Sequence, residues 1–133
     1  MTEAKSIEQL ESDYWKDIKF PSELVKKCFD FRKIPIKNLS IGQVRLLLGQ
    51  KIGVEYLLPK AVNFLRVDIL AEGDYYPGDL LTFILGLNES DWNGNRELQQ
   101  ELESLLAANK SKLEFCNDKG LLKQVEEYLL RST

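Results

Sequence analysis

Apolar residues recur at three- and four-residue intervals along nearly the whole chain, and strict alternation is scarce. A period near 3.6 buries one stripe of a helix, whereas a half-buried strand needs a period of two. The pattern restricts the chain to helices packed on helices. It predicts an all-α fold, a single compact domain over residues 1–133, with six to seven helices joined by short loops. Length agrees, because 133 residues is an ordinary domain size and needs no disulfide, metal or partner to build a core. There are no internal repeats, low-complexity tracts or long Gly/Ser/Pro linkers.

Local signals place the helices. One is expected after Ser6, with Ile7, Leu10 and Tyr14 on one side and Trp15 near its end. Pro21 and Ser22 open the next, which carries Leu24, Val25, Cys28 and Phe29. The clearest start is Ser40 with Gln43. The hydroxyl accepts from the third-residue amide and the glutamine reaches back, while Leu39 and Val44 form a hydrophobic staple. Gly49 and Gly53 flank the expected stop. A helix from Val54 buries Leu58, Ala61, Val62 and Leu65, and Pro59 requires either a later start or a kink. Pro77 suits a first helical position, which puts Asp79 in the first turn beside free amides. Leu80 to Leu87 is apolar nearly all round and is expected to be the central helix. Asn88 to Gly94 reads as a polar loop holding Trp92. Asn95 caps a helix burying Leu98, Leu102, Leu105 and Leu106. Asn117-Asp118 starts the last helix, with Leu122, Val125 and Leu129 expected inside, and the pattern leaves Lys112 to Cys116 unassigned, with an extended stretch as one option.

Two compositional facts bear on chemistry. The chain has no histidine, which removes Ser-His-Asp and Cys-His catalysis and histidine metal ligands. Its two cysteines, Cys28 and Cys116, make neither a zinc site nor a disulfide framework, and are expected as thiols acting as small hydrophobes. No glycine spacing matches a nucleotide loop, and no apolar run approaches a membrane span. Asp74 and Asp79 suggest a carboxylate pair, but a turn residue and a helix-start residue explain them better. The N-terminus is polar and acidic, unlike a signal peptide, so a cytoplasmic protein is expected. The residues point to a non-enzymatic binding protein with no cofactor and no metal.

Charge is arranged in blocks. Residues 19–66 carry a net +7 and residues 67–109 a net −8, inside a chain of net −3. Either the two blocks fold against each other and neutralise, or the second forms an acidic surface that attracts a basic partner. The basic block is the alternative feature. It suggests a nucleic-acid-binding regulator in which Gly49–Gly53 is the turn of a helix-turn-helix, although the dense Lys/Arg cluster expected of such a surface is missing.

The run from Leu39 to Ala61 contains Gln43-Val44-Arg45, Gln50, Gly53, Tyr56-Leu57, Pro59 and Ala61. It is followed by Gly73-Asp74-Tyr75-Tyr76-Pro77-Gly78-Asp79-Leu80-Leu81. These two ordered blocks, within residues 36–87, resemble the immunity proteins of bacterial contact-dependent growth inhibition (CDI) systems. The resemblance implies a cytoplasmic antidote, a monomer binding its cognate toxin domain one to one, without nucleic acid or membrane. It also implies that the toxin is basic and a nuclease, with transfer RNA a frequent substrate of such toxins. The shared blocks read as scaffold. Toxin contacts are then expected at Glu89, Asp91, Trp92, Glu97, Glu101 and Glu103, with Asp74 and Tyr76 second in rank.

Overall fold

The computed structural model describes residues 2–16, 20 and 22–131. Among these, every regular element is helical: α1 (Ile7–Glu11), α2 (Glu23–Arg32), α3 (Ile41–Gly49), α4 (Val54–Val67), α5 (Asp79–Leu85), α6 (Glu89–Trp92), α7 (Arg96–Ala108), α8 (Lys110–Phe115) and α9 (Lys119–Arg131). The all-α expectation holds. The larger helix number comes from two short elements, α6, where the sequence suggests a loop, and α8, which its pattern leaves unassigned. Pro21, expected to open α2, lies outside the described residues.

The helices start where local chemistry says they should. Ser6 caps α1 and Ser40 caps α3, each in a reciprocal box with the glutamine three residues on. At α3 the Ser40 amide donates to Gln43 Oε1 at 2.9 Å and the Gln43 amide donates to Ser40 Oγ at 3.2 Å. Both staple residues, Leu39 and Val44, are buried. Ser22 and Asn95 cap α2 and α7 through their side chains. α4 runs continuously through Pro59, so neither a late start nor a break is needed. α3 stops at Gln50, between Gly49 and Gly53 as the sequence suggests, and Gly53, at φ 61°, is also the N-cap of α4. An added Cβ there would sit 2.8 Å from Ile7 Cδ1, so this glycine also lets α1 approach.

α4 packs on α3, α6 and α7 and is the hub of the fold, a place the sequence assigned to α5. Leu57, Leu58, Ala61, Val62 and Leu65 form its buried stripe. α5 buries Leu80, Leu81, Ile84 and Leu85 between α3 and α9. In α9 the buried residues are Leu121, Val125 and Tyr128, so the inward stripe is rotated from the expected Leu122, Val125 and Leu129. Cys28 is buried and Cys116 half-buried, both as free thiols.

The N-terminal segment is tied down by a buried arginine. Arg32 is 1% exposed, reaches Glu11 at 3.1 Å and the Asp13 carbonyl at 2.7 Å, and lies 4.4 Å from the Trp15 ring centre. A guanidinium taken out of water needs such partners. Tyr14, expected on the inner side of α1, is 60% exposed because that helix stops at Glu11.

Candidate functional site

The two sequence blocks that resemble one family meet in space. The loop of residues 72–78 folds back onto the first turn of α3. Gly42 makes this possible: a Cβ there would fall 2.4 Å from Asp74 Oδ1. Asp79 holds the loop closed. Its carboxylate, 2% exposed, accepts from the Gly73 amide at 2.7 Å and the Tyr75 amide at 3.1 Å. α5 begins at Asp79 behind Gly78, so Pro77 precedes the helix, and the carboxylate serves the loop's amides rather than those of its own helix. Asp79 is thus a buried clamp. Among the described residues, no group of three His, Cys, Asp or Glu side chains is arranged to hold a metal ion.

The acidic residues proposed for partner contact occupy α6 and α7, but in different states. Asp91 is engaged. It forms a 2.8 Å ion pair with Lys51 and accepts from the Asn88 amide at 2.9 Å. The Lys51 hydrogen bond holds its carboxyl below the ordinary value. Glu101 is also engaged, in an ion pair with Arg66 of α4. Trp92 is 2% exposed, which corrects its role as a surface anchor. The short α6 turns its indole inward, where it lines a small cleft with Leu87 and Tyr128.

The remaining acids are available. Glu97 is exposed and Glu103 half-exposed, and neither has an ion pair among the described residues. The three-turn helix separates them. Glu97 and Glu101 share one flank of α7, and Gln99 and Glu103 the other. The second flank faces a groove of about 420 Å³ lined by Glu89, Arg96, Gln99, Gln100, Glu103 and Arg131. Gln99 donates to both Glu89 carboxylate oxygens at 3.3 Å. The groove holds two acids and two arginines, and beside it burial pushes the Tyr128 hydroxyl up to about 12, with Glu103 and Glu89 adding to the rise and Arg131 opposing it. Of the second-rank residues, Asp74 is exposed at the loop and Tyr76 is 45% exposed. Gln99, Arg131 and Tyr128 were not foreseen. The i,i+4 spacing of Gln99 and Glu103 was the one signal for the first.

Five of the ten bases of residues 19–66 form ion pairs within the protein among the described residues. Arg32, Lys33, Lys51 and Arg66 bridge to acids in other blocks, and Lys26 pairs with Asp30. Lys27, Lys37, Arg45 and Lys60 have no ion pair among the described residues.

A family model described as CDI immunity proteins matches residues 9–102. The chain belongs to this family. The match is wider than the 36–87 span carrying the resemblance, and reaches from α1 into α7. No curated protein and no solved structure gives a significant match. Membership makes this an immunity protein whose partner is a CDI toxin. The family span includes the clamp, Glu89, Glu97 and Glu101, whereas Glu103, α8 and α9 lie beyond it. No helix among the described residues is long and apolar enough to cross a membrane.

Proposed function

We propose that this immunity protein binds the toxin domain of its own CDI system in the cytoplasm, as a monomer in a one-to-one complex, and neutralises it by laying an acidic surface over its active site. It acts by binding, without turnover. The toxin on this reading is a nuclease, with transfer RNA as its substrate class. A nuclease must carry a basic surface for phosphates, and carboxylates held on a rigid helix complement such a surface and speed encounter.

The observation that carries this reading is the pair of α7 carboxylates, Glu97 and Glu103, left without ion-pair partners among the described residues while their neighbours Asp91 and Glu101 are engaged. Glu89 beside Glu103 in the groove adds to the same field. Asp91, Glu101 and Trp92 then serve the scaffold of the interface.

The test is co-expression with the toxin domain encoded beside the gene, followed by purification on a tag. Survival only when both are made, with a stoichiometric complex, is the expected outcome. Glu97→Lys and Glu103→Lys, made separately, should each slow association several-fold at low salt with an unchanged melting temperature. Unchanged association in both variants would refute the acidic interface. Persistence of nuclease activity in the isolated complex would refute active-site coverage.

A further inference from the structure

Arg45 has no ion-pair partner among the described residues. Its guanidinium carbon lies 4.6 Å from the Tyr75 ring centre and 5.8 Å from that of Phe83. The side chain is half-buried, its Nε is shut off from water, and no hydrogen bond reaches that atom. The other half-buried or buried arginine, Arg32, also has an unpartnered Nε, but its guanidinium is neutralised by Glu11 and Asp13. Arg66 is neutralised by Glu101. Arg45 is thus held by two rings, with no ion pair among the described residues.

Its surroundings are built to stay in place. Tyr75, 67% exposed, is positioned through its own amide, which Asp79 accepts at 3.1 Å. Tyr76, 45% exposed, follows in the same loop. The loop is fixed on α3 by the close approach at Gly42. A planar fork of N–H donors stacked on one accessible phenol, with a second accessible phenol next in a loop fixed against the same helix, has the chemistry of a binding hot spot.

We infer that Arg45, Tyr75 and Tyr76 form a second contact surface of this immunity protein, at which Arg45 pairs with a carboxylate of the toxin polypeptide. The inference rests on the toxin-binding reading above. A carboxylate accepts two parallel N–H bonds from a guanidinium, and the stacked rings hold the fork ready for it. A protein side chain fits better than nucleic acid. One arginine is not a phosphate track. The interface therefore carries both signs: acids on α7 toward toxin bases, and Arg45 toward a toxin acid.

The experiment uses the full chain and its co-purified toxin. Arg45→Gln and, separately, Tyr75→Ser are measured for affinity by calorimetry and for stability by thermal melting. Tyr75→Ser guards against misfolding, since that side chain is mostly in solvent. Each variant should weaken binding about tenfold or more through faster dissociation, with Arg45→Lys intermediate because it keeps charge and loses the fork. Native affinity in both Arg45→Gln and Tyr75→Ser overturns this contact while leaving the toxin reading intact. Failure of the wild type to form any complex overturns the toxin reading and this contact with it. Nucleic acid retained by the wild type and lost in Arg45→Gln would overturn the carboxylate assignment.

Discussion

Replacing Asp79 by alanine is the sharpest test of how the family blocks hold together. The carboxylate is 2% exposed and accepts two backbone amides, at 2.7 and 3.1 Å. Hydrogen bonds to a charged group contribute about 1.5–3 kcal/mol each, and truncation would also leave two amides unpaired. Relief of the buried charge offsets part of this loss. The net cost expected is about 2–4 kcal/mol. A carboxylate that merely meets its own helix's first turn contributes only about 0.3–1 kcal/mol, so the two roles are well separated. With an unfolding entropy of about 2 cal/mol/K per residue, a chain of 133 residues should lose roughly 7–14 °C in Tm. Urea unfolding followed by circular dichroism gives the free energy, and calorimetry gives the Tm. Asp79→Asn keeps one acceptor and should fall between alanine and wild type. A loss below about 1 kcal/mol in Asp79→Ala would refute the clamp.

The same loop constrains α3: Gly42→Ala places a methyl 2.4 Å from Asp74 Oδ1 and should cost about 1–3 kcal/mol in urea unfolding, with Asp74→Ala in the same chain recovering part of it. Asp91 has a lowered folded pKa, so its pair with Lys51 stabilises above the unfolded value of 3.8 and is lost as pH falls through the folded one; Lys51→Met should flatten that acid limb of the stability curve. Tyr128 has a raised folded pKa of about 12, so its contribution is complete below its ordinary value of 10 and fades as pH rises toward 12; absorbance titration should show it ionising after the exposed tyrosines, and Tyr128→Phe should remove that late step.

What the sequence disclosed is what a short window can decide. A serine three residues before a glutamine specifies its own box, and Ser6 and Ser40 both form one. What it hid depended on chain arriving from elsewhere. Asp79 looked like a helix-start residue because the folding back of the Gly73–Tyr75 loop is not written in its neighbours. In α9, Leu122–Val125–Leu129 and Leu121–Val125–Tyr128 are both acceptable helical stripes. The second turns inward because Leu121 packs near Gly78 and Gln124 donates to the Thr82 carbonyl, both contacts with the α5 region. Leu122 and Leu129 instead line a surface groove. Trp92 lay in a stretch polar enough to suggest exposure, yet one turn of helix is sufficient to carry an indole inside.

The charge blocks show the same distinction between sequence and surface. The net −8 of residues 67–109 cannot be read as the strength of an acidic face. Asp68, Asp91 and Glu101 are ion-paired to Lys112, Lys51 and Arg66, and Asp79 is buried. A paired charge acts at a distance only as a dipole, and beyond about 8 Å at physiological salt even a free charge is largely screened. Encounter with a basic partner is therefore governed by the carboxylates without an ion pair among the described residues: Glu97 and Glu103 on α7, Glu89 beside the latter, and Glu72 and Asp74 in the loop before α5. Reversing Glu101 would confuse the issue, because a lysine there would meet Arg66 and disturb the α4–α7 contact as well as the field. Glu97 and Glu103 lie on different flanks of one helix, and comparing their separate reversals would show which flank the toxin approaches.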